Sequence, residues 1–223
     1  MPVITISRQF GSGGDEVARH LCELLAYGYF DKQLLAYAAS KAGLPEEEIV
    51  DFSEDHYKVR SLMDHLIVGW RSPHTIAGTE VWQEELFGEV YTAVSTLDEA
   101  QCLALVQSAI RTAYKHGDMV ILGRGGQVML NDKPDVLHVR IEAPLDIRSR
   151  RLQEREDVGL ATAQARALEH DRASAEYLKR FYDIDWSDPL HYHLTINTGG
   201  LRVEAAARLI INAVDHMITD SAG

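Results

Sequence analysis

The sequence is poor in cysteine. Only Cys22 and Cys102 occur, they stand far apart, and neither belongs to a cluster with the spacing of metal ligands. This pattern argues against a disulfide framework and against a zinc site, because both need several cysteines at short spacings. We expect both thiols to be buried as small hydrophobic groups.

Long apolar runs are missing as well. No hydrophobic stretch approaches the length of a membrane-spanning helix, and the first seven residues, MPVITIS, contain neither a basic region nor a long apolar region. A secretory signal peptide needs both of these regions. We therefore expect a cytoplasmic protein without a membrane partner.

Positive charge is scarce. The chain has 22 lysine and arginine residues against 34 aspartate and glutamate residues, which gives a formal net charge of −12 at pH 7. Proteins that bind nucleic acid through its phosphates need a basic surface. We expect no nucleic-acid partner, and any anionic ligand must be bound by a local group of cations.

The remaining composition is typical of one globular domain. The 223 residues are 46% hydrophobic and 25% charged, and no Ser/Gly-rich or Pro-rich stretch has the character of a linker. Both fractions are close to the averages for globular proteins, and the length suits one α/β domain. The sequence therefore predicts a single domain over residues 1–223.

Short apolar segments alternate with segments of helical periodicity. From Asp15 onward, and again over Leu201–Ile218, apolar residues recur at helical spacing. Such alternation predicts an α/β fold with a parallel sheet. The predicted strands are Val3–Ser7, Tyr27–Asp31, Met119–Leu122, Val136–Ile141 and Leu194–Asn197, and residues 32–116 are predicted to be mainly helical.

Polar and glycine-rich groups follow these predicted strands. Ligands of parallel α/β sheets bind outside the carboxyl ends of the strands, so these groups mark the expected site. They are Gly11–Gly14, Asp31, Gly123–Gly126 and Asn197–Gly200.

The group Gly11, Ser12, Gly13 and Gly14 joins the first strand to a helix. Such a loop turns several backbone N–H groups toward one point and lets an anion approach closely, so phosphate is its natural ligand. A strand-to-helix turn that binds nothing is the alternative. A dinucleotide-binding loop is a third interpretation, because Asp31 follows at about the distance of a ribose-binding acid.

The third glycine of a dinucleotide-binding loop is absent, since position 16 is Glu16. A phosphate loop of the pattern G-x-x-x-x-G-K-[ST] is also altered, because its fixed positions are Arg8, Gly13, Gly14 and Asp15. The lysine that neutralises the donor phosphates is therefore missing. Our hypothesis is that Arg8 and Arg124 replace its charge and that Asp15 ligates magnesium.

Segments along nearly the whole chain resemble the cytidylate-kinase-like family of P-loop nucleoside monophosphate kinases. The opening resembles that family in ITISRQFGSGG at 4–14 and YFDK at 29–32, and VILGRGG at 120–126 resembles its third strand and Gly-Arg turn. Its lid and last strand are matched by Asp171-Arg172, Tyr177-Leu178, Trp186 and YHLTINT at 192–198. Residues 40–115 carry no matching motif.

The resemblance implies a three-layer P-loop fold with five parallel strands in the order 2-3-1-4-5. It implies ATP and Mg²⁺ as cofactors and CMP or a related nucleotide as the acceptor substrate. The loop from Arg8 to Gly14 would hold the donor phosphates, Arg124 would meet the acceptor phosphate, and Asp31 would lie near magnesium or the acceptor. Residues 40–115 would form a helical acceptor-binding insertion and residues 148–185 a lid.

Several arginines suit a basic lid. Arg148, Arg151 and Arg155 have helical spacing and are predicted to share one helix face, and Arg172 and Lys179 repeat the arrangement on the next helix. Phosphoryl transfer needs such cations around the transferred group. We assign Arg172 to catalysis and Arg151 to the donor, where its planar group can stack on the base. A solvated, ion-paired helix face is the simpler alternative.

Three functional alternatives stay open at the level of sequence. They are a P-loop kinase of another small molecule, a non-catalytic nucleotide-binding or sensor protein, for which the missing lysine argues, and a dinucleotide-binding protein. The apolar helices expected between Val81 and Ala113 are also compatible with a homodimer surface.

Overall fold

The computed structural model describes residues 2–31 and 99–220. Strands and helices alternate along these residues, as predicted. The strands are β1 (Val3–Arg8), β2 (Gly28–Phe30), β3 (Met119–Leu122), β4 (Val136–Glu142) and β5 (Leu194–Asn197). The helices are α1 (Gly14–Leu25), α2 (Glu99–His116), α3 (Gly126–Met129), α4 (Leu145–Glu156), α5 (Leu160–Tyr182) and α6 (Val203–Asp220), with a 3-10 turn at Pro189–His191.

The strands form one parallel sheet in the order β2-β3-β1-β4-β5. β1 lies at its centre, where Ile6 pairs with Leu122 of β3 and with Val139 of β4. This order confirms the predicted P-loop topology. It differs from the order 3-2-1-4-5-6 of the dinucleotide-binding fold, which argues against that alternative.

Helices cover both faces of the sheet, which confirms the three predicted layers. On one face, Ile4, Ile6 and Val139 pack with residues of α1 and α6, including Leu21 and Ile210. On the other face, alternate strand residues pack against α2; this cluster includes Val3, Met119, Ile121, Leu105 and Ile110. Both faces of parallel strands are buried in this way, which explains their continuous apolar runs.

The predicted insertion and lid can be placed only in part. Most of residues 40–115 lies outside the described residues, including the predicted dimer segment up to position 98, whereas Glu99–His116 forms the core helix α2. Residues 148–185 include most of α4 and α5, which pack through buried Leu152, Ala163 and Ala167. Cys22 is buried as predicted, and desolvation raises the pKa of its thiol to about 12.

A buried arginine ties the end of the α5 segment to the sheet. Arg140 of β4 is 3% exposed, its guanidinium carbon lies 4.3 Å from the ring centroid of Trp186, and Nη1 donates to the Trp186 carbonyl at 2.6 Å. The indole N–H of Trp186 donates to Ser7 Oγ at 2.7 Å. The chain beyond α5 is thereby fixed to β1 next to Arg8.

Within the described residues, no helix is both long enough and apolar enough to cross a membrane.

A buried histidine makes stability depend on pH. His138 of β4 is 4% exposed, its Nδ1 lies 2.7 Å from Thr5 Oγ1, and its ring stacks on His193. Desolvation, with a smaller contribution from His193, lowers the pKa of His138 from 6.5 to about 4. The unfolded chain therefore takes up this proton at a higher pH than the folded protein does.

We expect His138 to lower the free energy of unfolding by about 2–3 kcal/mol as the pH falls from 7 to 4. Its contribution is complete above pH 6.5 and is lost as the pH falls toward 4, which urea titrations across this window measure. His138→Asn is expected to show a smaller loss than the wild type. Thr5→Val, which retains the imidazole, is expected to show the full loss, and equal losses in the wild type and His138→Asn would contradict the assignment.

Candidate active site

The loop after β1 has the shape of an anion-binding turn. Gly11 and Gly13 have φ angles of +77° and +86°, which side chains other than glycine rarely tolerate, and Gly13 is the N-cap of α1 without a side-chain capping bond. The first N–H groups of a helix have no partner within the helix and attract anions. The Oγ of Ser12 is buried and has no hydrogen-bond partner among the described residues. The loop thus offers backbone and hydroxyl donors, which fit a phosphate group.

The ion pair between Arg148 and Asp171 holds the middle of this loop through hydrogen bonds to Phe10. Arg148 Nη1 donates to the Phe10 carbonyl at 3.0 Å and to Asp171 Oδ2 at 2.8 Å, while Asp171 Oδ1 accepts the Phe10 N–H at 2.9 Å. Both backbone polar groups of Phe10 are therefore bound by helices α4 and α5. Burial raises the pKa of Asp171, and the Phe10 N–H and Arg148 oppose that rise.

A second arginine holds the next part of the loop. Arg151 Nη1 donates to the Ser12 carbonyl at 2.9 Å, and its Nη2 donates to the carbonyl of Thr198, the residue after β5, at 2.8 Å. The Thr198 hydroxyl also donates to the Ser12 carbonyl. Arg151 thus joins the loop to the end of β5, and its stacking on a donor base stays a prediction.

Arg155 completes the predicted basic face of α4. Its guanidinium carbon lies 5.4 Å from the Phe10 ring centroid, and its Nη1 is 3.8 Å from Glu16 Oε1. The Phe10 ring also stacks on His170, with ring centroids 4.0 Å apart. Arg148, Arg151 and Arg155 all contact the phosphate-loop segment, which confirms that they share one helix face.

Arg8 lies at the mouth of β1 beside the start of α1. Its side chain is 9% exposed, and its Nη2 is 3.4 Å from Asp15 Oδ1. The phenol of nearby Tyr29 has a raised pKa because it is desolvated and because Asp31 and Asp15 add negative charge, while Arg8 and Arg19 oppose the rise. The charges of Arg8, Asp15 and Asp31 thus all act on the Tyr29 phenol.

Arg124 lies at the end of the neighbouring strand β3. Gly123, Arg124 and Gly125 have successive φ angles of +70°, +63° and +72°, and the Gly123 N–H donates to the Ile6 carbonyl of β1 at 2.8 Å. A left-handed arginine is strained, and such strain concentrates at functional sites. Arg124 is 2% exposed, and Gln127 nearby is buried with an Nε2 that has no hydrogen-bond partner within the described residues.

The predicted site residues form two groups, those near the carboxyl ends of the strands and Arg172 on α5. The glycine loop, Arg8, Asp15 and Arg151 lie at the mouth of β1, and Asp31 and Arg124 follow the adjacent strands β2 and β3. Arg172 lies on α5 with an exposed side chain, whereas its neighbours His170 and Asp171 contact Phe10 of the loop. Sequence reasoning assigned no role to Asp171, Thr198 or Gln127.

One sequence signal points to Asp171. Ala163, Ala167, Ser174 and Leu178 are buried along one face of α5, and Asp171 continues that row. A carboxylate on the buried face of a helix needs a partner. Thr198 belongs to the group Asn197–Gly200 that follows the last predicted strand, whereas Gln127 carries no comparable signal in the sequence.

The acidic residues near the loop do not by themselves form a complete metal site. The described parts of the chain contain no group of three or more histidine, cysteine, aspartate or glutamate residues arranged to hold a metal ion. Mg²⁺ in phosphate-transfer sites takes only one or two carboxylates beside the phosphates themselves. Asp15 and Asp31 fit that smaller requirement.

Curated proteins that resemble this chain are archaeal cytidylate kinases. The cytidylate kinase of Aeropyrum pernix is 36% identical over 99 residues, covering 41% of this chain and 57% of that protein. The cytidylate kinase of Halobacterium salinarum is 30% identical over 104 residues, covering 47% of this chain and 54% of that protein. The chain spans about half the length of these relatives.

Solved structures share the fold at low identity. An uncharacterized protein from Eubacterium ventriosum has a TM-score of 0.62 at 22% identity, with 96% of this chain and 99% of that chain covered. Shikimate kinase from Bacteroides thetaiotaomicron has a TM-score of 0.50 at 12% identity, with 96% of this chain and 98% of that chain covered.

The sequence model of the cytidylate kinase-like family matches residues 3–200, which includes the phosphate loop, Arg124, the α4 arginines and Thr198. Together with the sheet order and the loop geometry, this match shows that the chain belongs to the cytidylate kinase-like family.

Proposed function

We propose that the protein transfers the γ-phosphoryl group of ATP to a nucleoside monophosphate, with CMP and dCMP as the first candidates. The observation that carries this proposal is the adjacency of two glycine-rich turns that each carry an arginine. The loop from Arg8 to Gly14 and the turn from Gly123 to Gly126 follow neighbouring strands, which pair through Ile6 and Leu122. Two phosphate groups that bind at neighbouring strand ends are close enough to react.

The donor phosphates would bind in the first of these turns. The N–H groups at the start of α1 and the Ser12 hydroxyl donate to phosphate oxygens, and Arg8 supplies the positive charge. ATP is the donor that this arrangement favours, because its charge is concentrated in the phosphates that such loops bind. Arg151 then acts on the donor through the loop, since it holds the Ser12 carbonyl.

The acceptor phosphate would bind at the second turn. Arg124 is buried beside the end of β1, and a guanidinium group matches two phosphate oxygens at once. The unpartnered Nε2 of Gln127 supplies a further donor at the same turn. These two side chains give the acceptor site a preference for a dianionic group over a neutral hydroxyl acceptor.

The reaction forms one bond and breaks one bond. An oxygen of the acceptor monophosphate bonds to the γ-phosphorus, and the bond from that phosphorus to the β–γ bridging oxygen breaks, leaving ADP. A monophosphate is largely dianionic at pH 7, so no proton has to be removed from the attacking oxygen. The protein's task is to position the groups and stabilise charge, and Arg8, Arg124 and Arg172 are proposed for the charge.

Mg²⁺ bound to ATP would neutralise charge on its phosphates when present. Asp15 is the proposed ligand at the start of α1, and Asp31 lies on the acceptor side of the same region. The charges of both add to the rise in the pKa of Tyr29 that its desolvation mainly causes. Asp15 is also paired with Arg8, so metal binding and the ion pair are expected to compete for its carboxylate.

Calorimetric titration with MgATP, followed by a coupled assay of ADP formation with CMP, dCMP, UMP, AMP and shikimate, tests the proposal. The expected result is MgATP binding and the highest kcat/KM with a pyrimidine monophosphate. Arg124→Ala is expected to raise the KM for the acceptor while changing the affinity for MgATP little, and Arg208→Ala, exposed on α6, is the control. Absence of MgATP binding would overturn the proposal, and binding without turnover of any acceptor would favour a sensor protein.

A further inference from the structure

At two positions of the phosphate loop, each position carries the residue type that the standard pattern has at the other. In the pattern G-x-x-x-x-G-K-[ST], the first position is glycine and the seventh is lysine. Here the first position is Arg8 and the seventh is Gly14. Both the glycine and the cation of the pattern are present, each at the position of the other.

Close packing between the two positions explains why they change together. A Cβ atom placed on Gly14 would lie 2.5 Å from the Cβ and 2.8 Å from the Cγ of Arg8. The next neighbour, Ile141 Cβ, would be at 3.4 Å, which is an ordinary contact distance. Arg8 is therefore the group that excludes a side chain at position 14, and a glycine at position 8 would make room for one.

We propose that Arg8 is the donor-phosphate cation of this loop, and that its side-chain stem occupies the space through which a lysine at position 14 would pass. This inference rests on the proposed function. It adds a steric rule: the loop accepts a side chain at position 8 or at position 14, and only one of them at a time. Gly14 is thus required by Arg8, and the missing lysine does not imply a missing charge.

The neighbour of Arg8 accounts for a second departure from the pattern. Asp15 stands where the pattern has serine or threonine, and its Oδ1 lies 3.4 Å from Arg8 Nη2. A guanidinium group has five N–H donors in a fixed plane, so it can donate to a carboxylate and to a phosphate oxygen together. Asp15 therefore contributes to the position of Arg8, and the two charges partly balance each other.

The steric rule is tested without any ligand. Gly14→Ala is expected to lower the urea midpoint of the wild type clearly, because the new methyl group meets the Arg8 stem. In an Arg8→Gly background the same change is expected to leave the midpoint unchanged or raise it, since alanine favours a helix over glycine. Equal shifts in the two backgrounds would overturn the steric rule.

The role of Arg8 is tested by exchanging the two residues. Calorimetry is expected to show that Arg8→Gly raises the Kd for MgATP about tenfold or more. In the double variant Arg8→Gly/Gly14→Lys, the Kd is expected to return to within about threefold of the wild-type value. Arg19→Gln, exposed on α1, is the control and is expected to bind as the wild type does. Gly14→Lys alone is expected to lose both stability and MgATP binding. If this single variant does not fold, the comparison of Arg8→Gly with the double variant still tests the role of Arg8.

The outcomes separate this inference from the proposed function. If the wild type and Arg8→Gly bind MgATP with equal affinity, the proposed exchange of Arg8 for the lysine is overturned and the proposed function stands. A double variant that binds no better than Arg8→Gly also overturns the exchange. A wild type that binds no MgATP overturns both.

Discussion

Replacing Arg148 with methionine is expected to lower the free energy of unfolding by about 3–5 kcal/mol, the usual cost of breaking a buried ion pair. Arg148 is 4% exposed, and its loss would leave Asp171, whose side chain is 15% exposed, without its counter-ion. The Phe10 carbonyl and the Ala143 carbonyl would each lose a donor as well. Urea unfolding monitored by circular dichroism measures the change.

The same substitution is expected to weaken MgATP binding about tenfold or more, because the loop that would bind the phosphates loses its support from α4. Arg150→Met is the matched control. Arg150 lies on the same helix, its side chain is 63% exposed, and its contact with Asp146 is an exposed ion pair of 3.4 Å. We expect the control to change stability by less than about 1 kcal/mol, and a similar small effect for Arg148→Met would contradict the role of the ion pair.

Substitution of Gly11 by alanine is expected to destabilise the protein by about 3–4 kcal/mol, through backbone strain and overpacking together. The φ of Gly11 is +77°, and a Cβ there would lie 2.9 Å from Leu152 Cγ and 3.0 Å from the Arg148 carbonyl oxygen. The carbonyl belongs to the backbone of α4 and cannot move aside easily. Thermal and urea unfolding of the purified variant measure the loss.

Gly13→Ala is the matched control for Gly11→Ala. Gly13 also has a positive φ, +86°, but the nearest atom to its added Cβ would be Arg151 Nη1 at 3.6 Å. Strain alone is expected to cost about 1–2 kcal/mol at this position. Equal losses in the two variants would mean that the loop does not pack on α4 as described.

The central strands β1, β3 and β4 were predictable because they are buried on both faces. Met119–Leu122 is apolar throughout, and Val3–Ser7 is rich in β-branched residues with only Thr5 and Ser7 polar; a parallel sheet is the usual place for such short runs. The shortest strand shows the limit of this reasoning. β2 covers Gly28–Phe30, whereas the sequence predicted Tyr27–Asp31, because an edge strand is bounded by its partner's length as much as by its own residues.

The parts of the candidate site that follow from local sequence patterns were predictable. A glycine turn before a helix and three arginines at helical spacing are local patterns, and local patterns can be read from a single sequence. The contacts between them are long-range. Phe10 and Asp171 are 161 positions apart, and Ser12 and Thr198 are 186 positions apart, so no spacing rule connects them.

The partners of the arginines could not be predicted for the same reason. Helical spacing indicated that Arg148, Arg151 and Arg155 share a face, but it did not indicate whether that face meets solvent, ligand or protein. Arg151 donates to two backbone carbonyls, a role that sequence patterns do not distinguish from ligand binding. The exclusion of a side chain at Gly14 by Arg8 likewise depends on interatomic distances.

The attachment of the phosphate loop to α4, α5 and β5 has a thermodynamic consequence. Phe10 and Ser12 are held by hydrogen bonds to Asp171, Arg148, Arg151 and Thr198, so the loop loses its conformational entropy when the chain folds. A ligand that enters such a preorganised turn does not have to bring about that ordering, and more of its interaction energy is available as affinity. Rapid association with a small heat-capacity change is the signature that this loop is built to give.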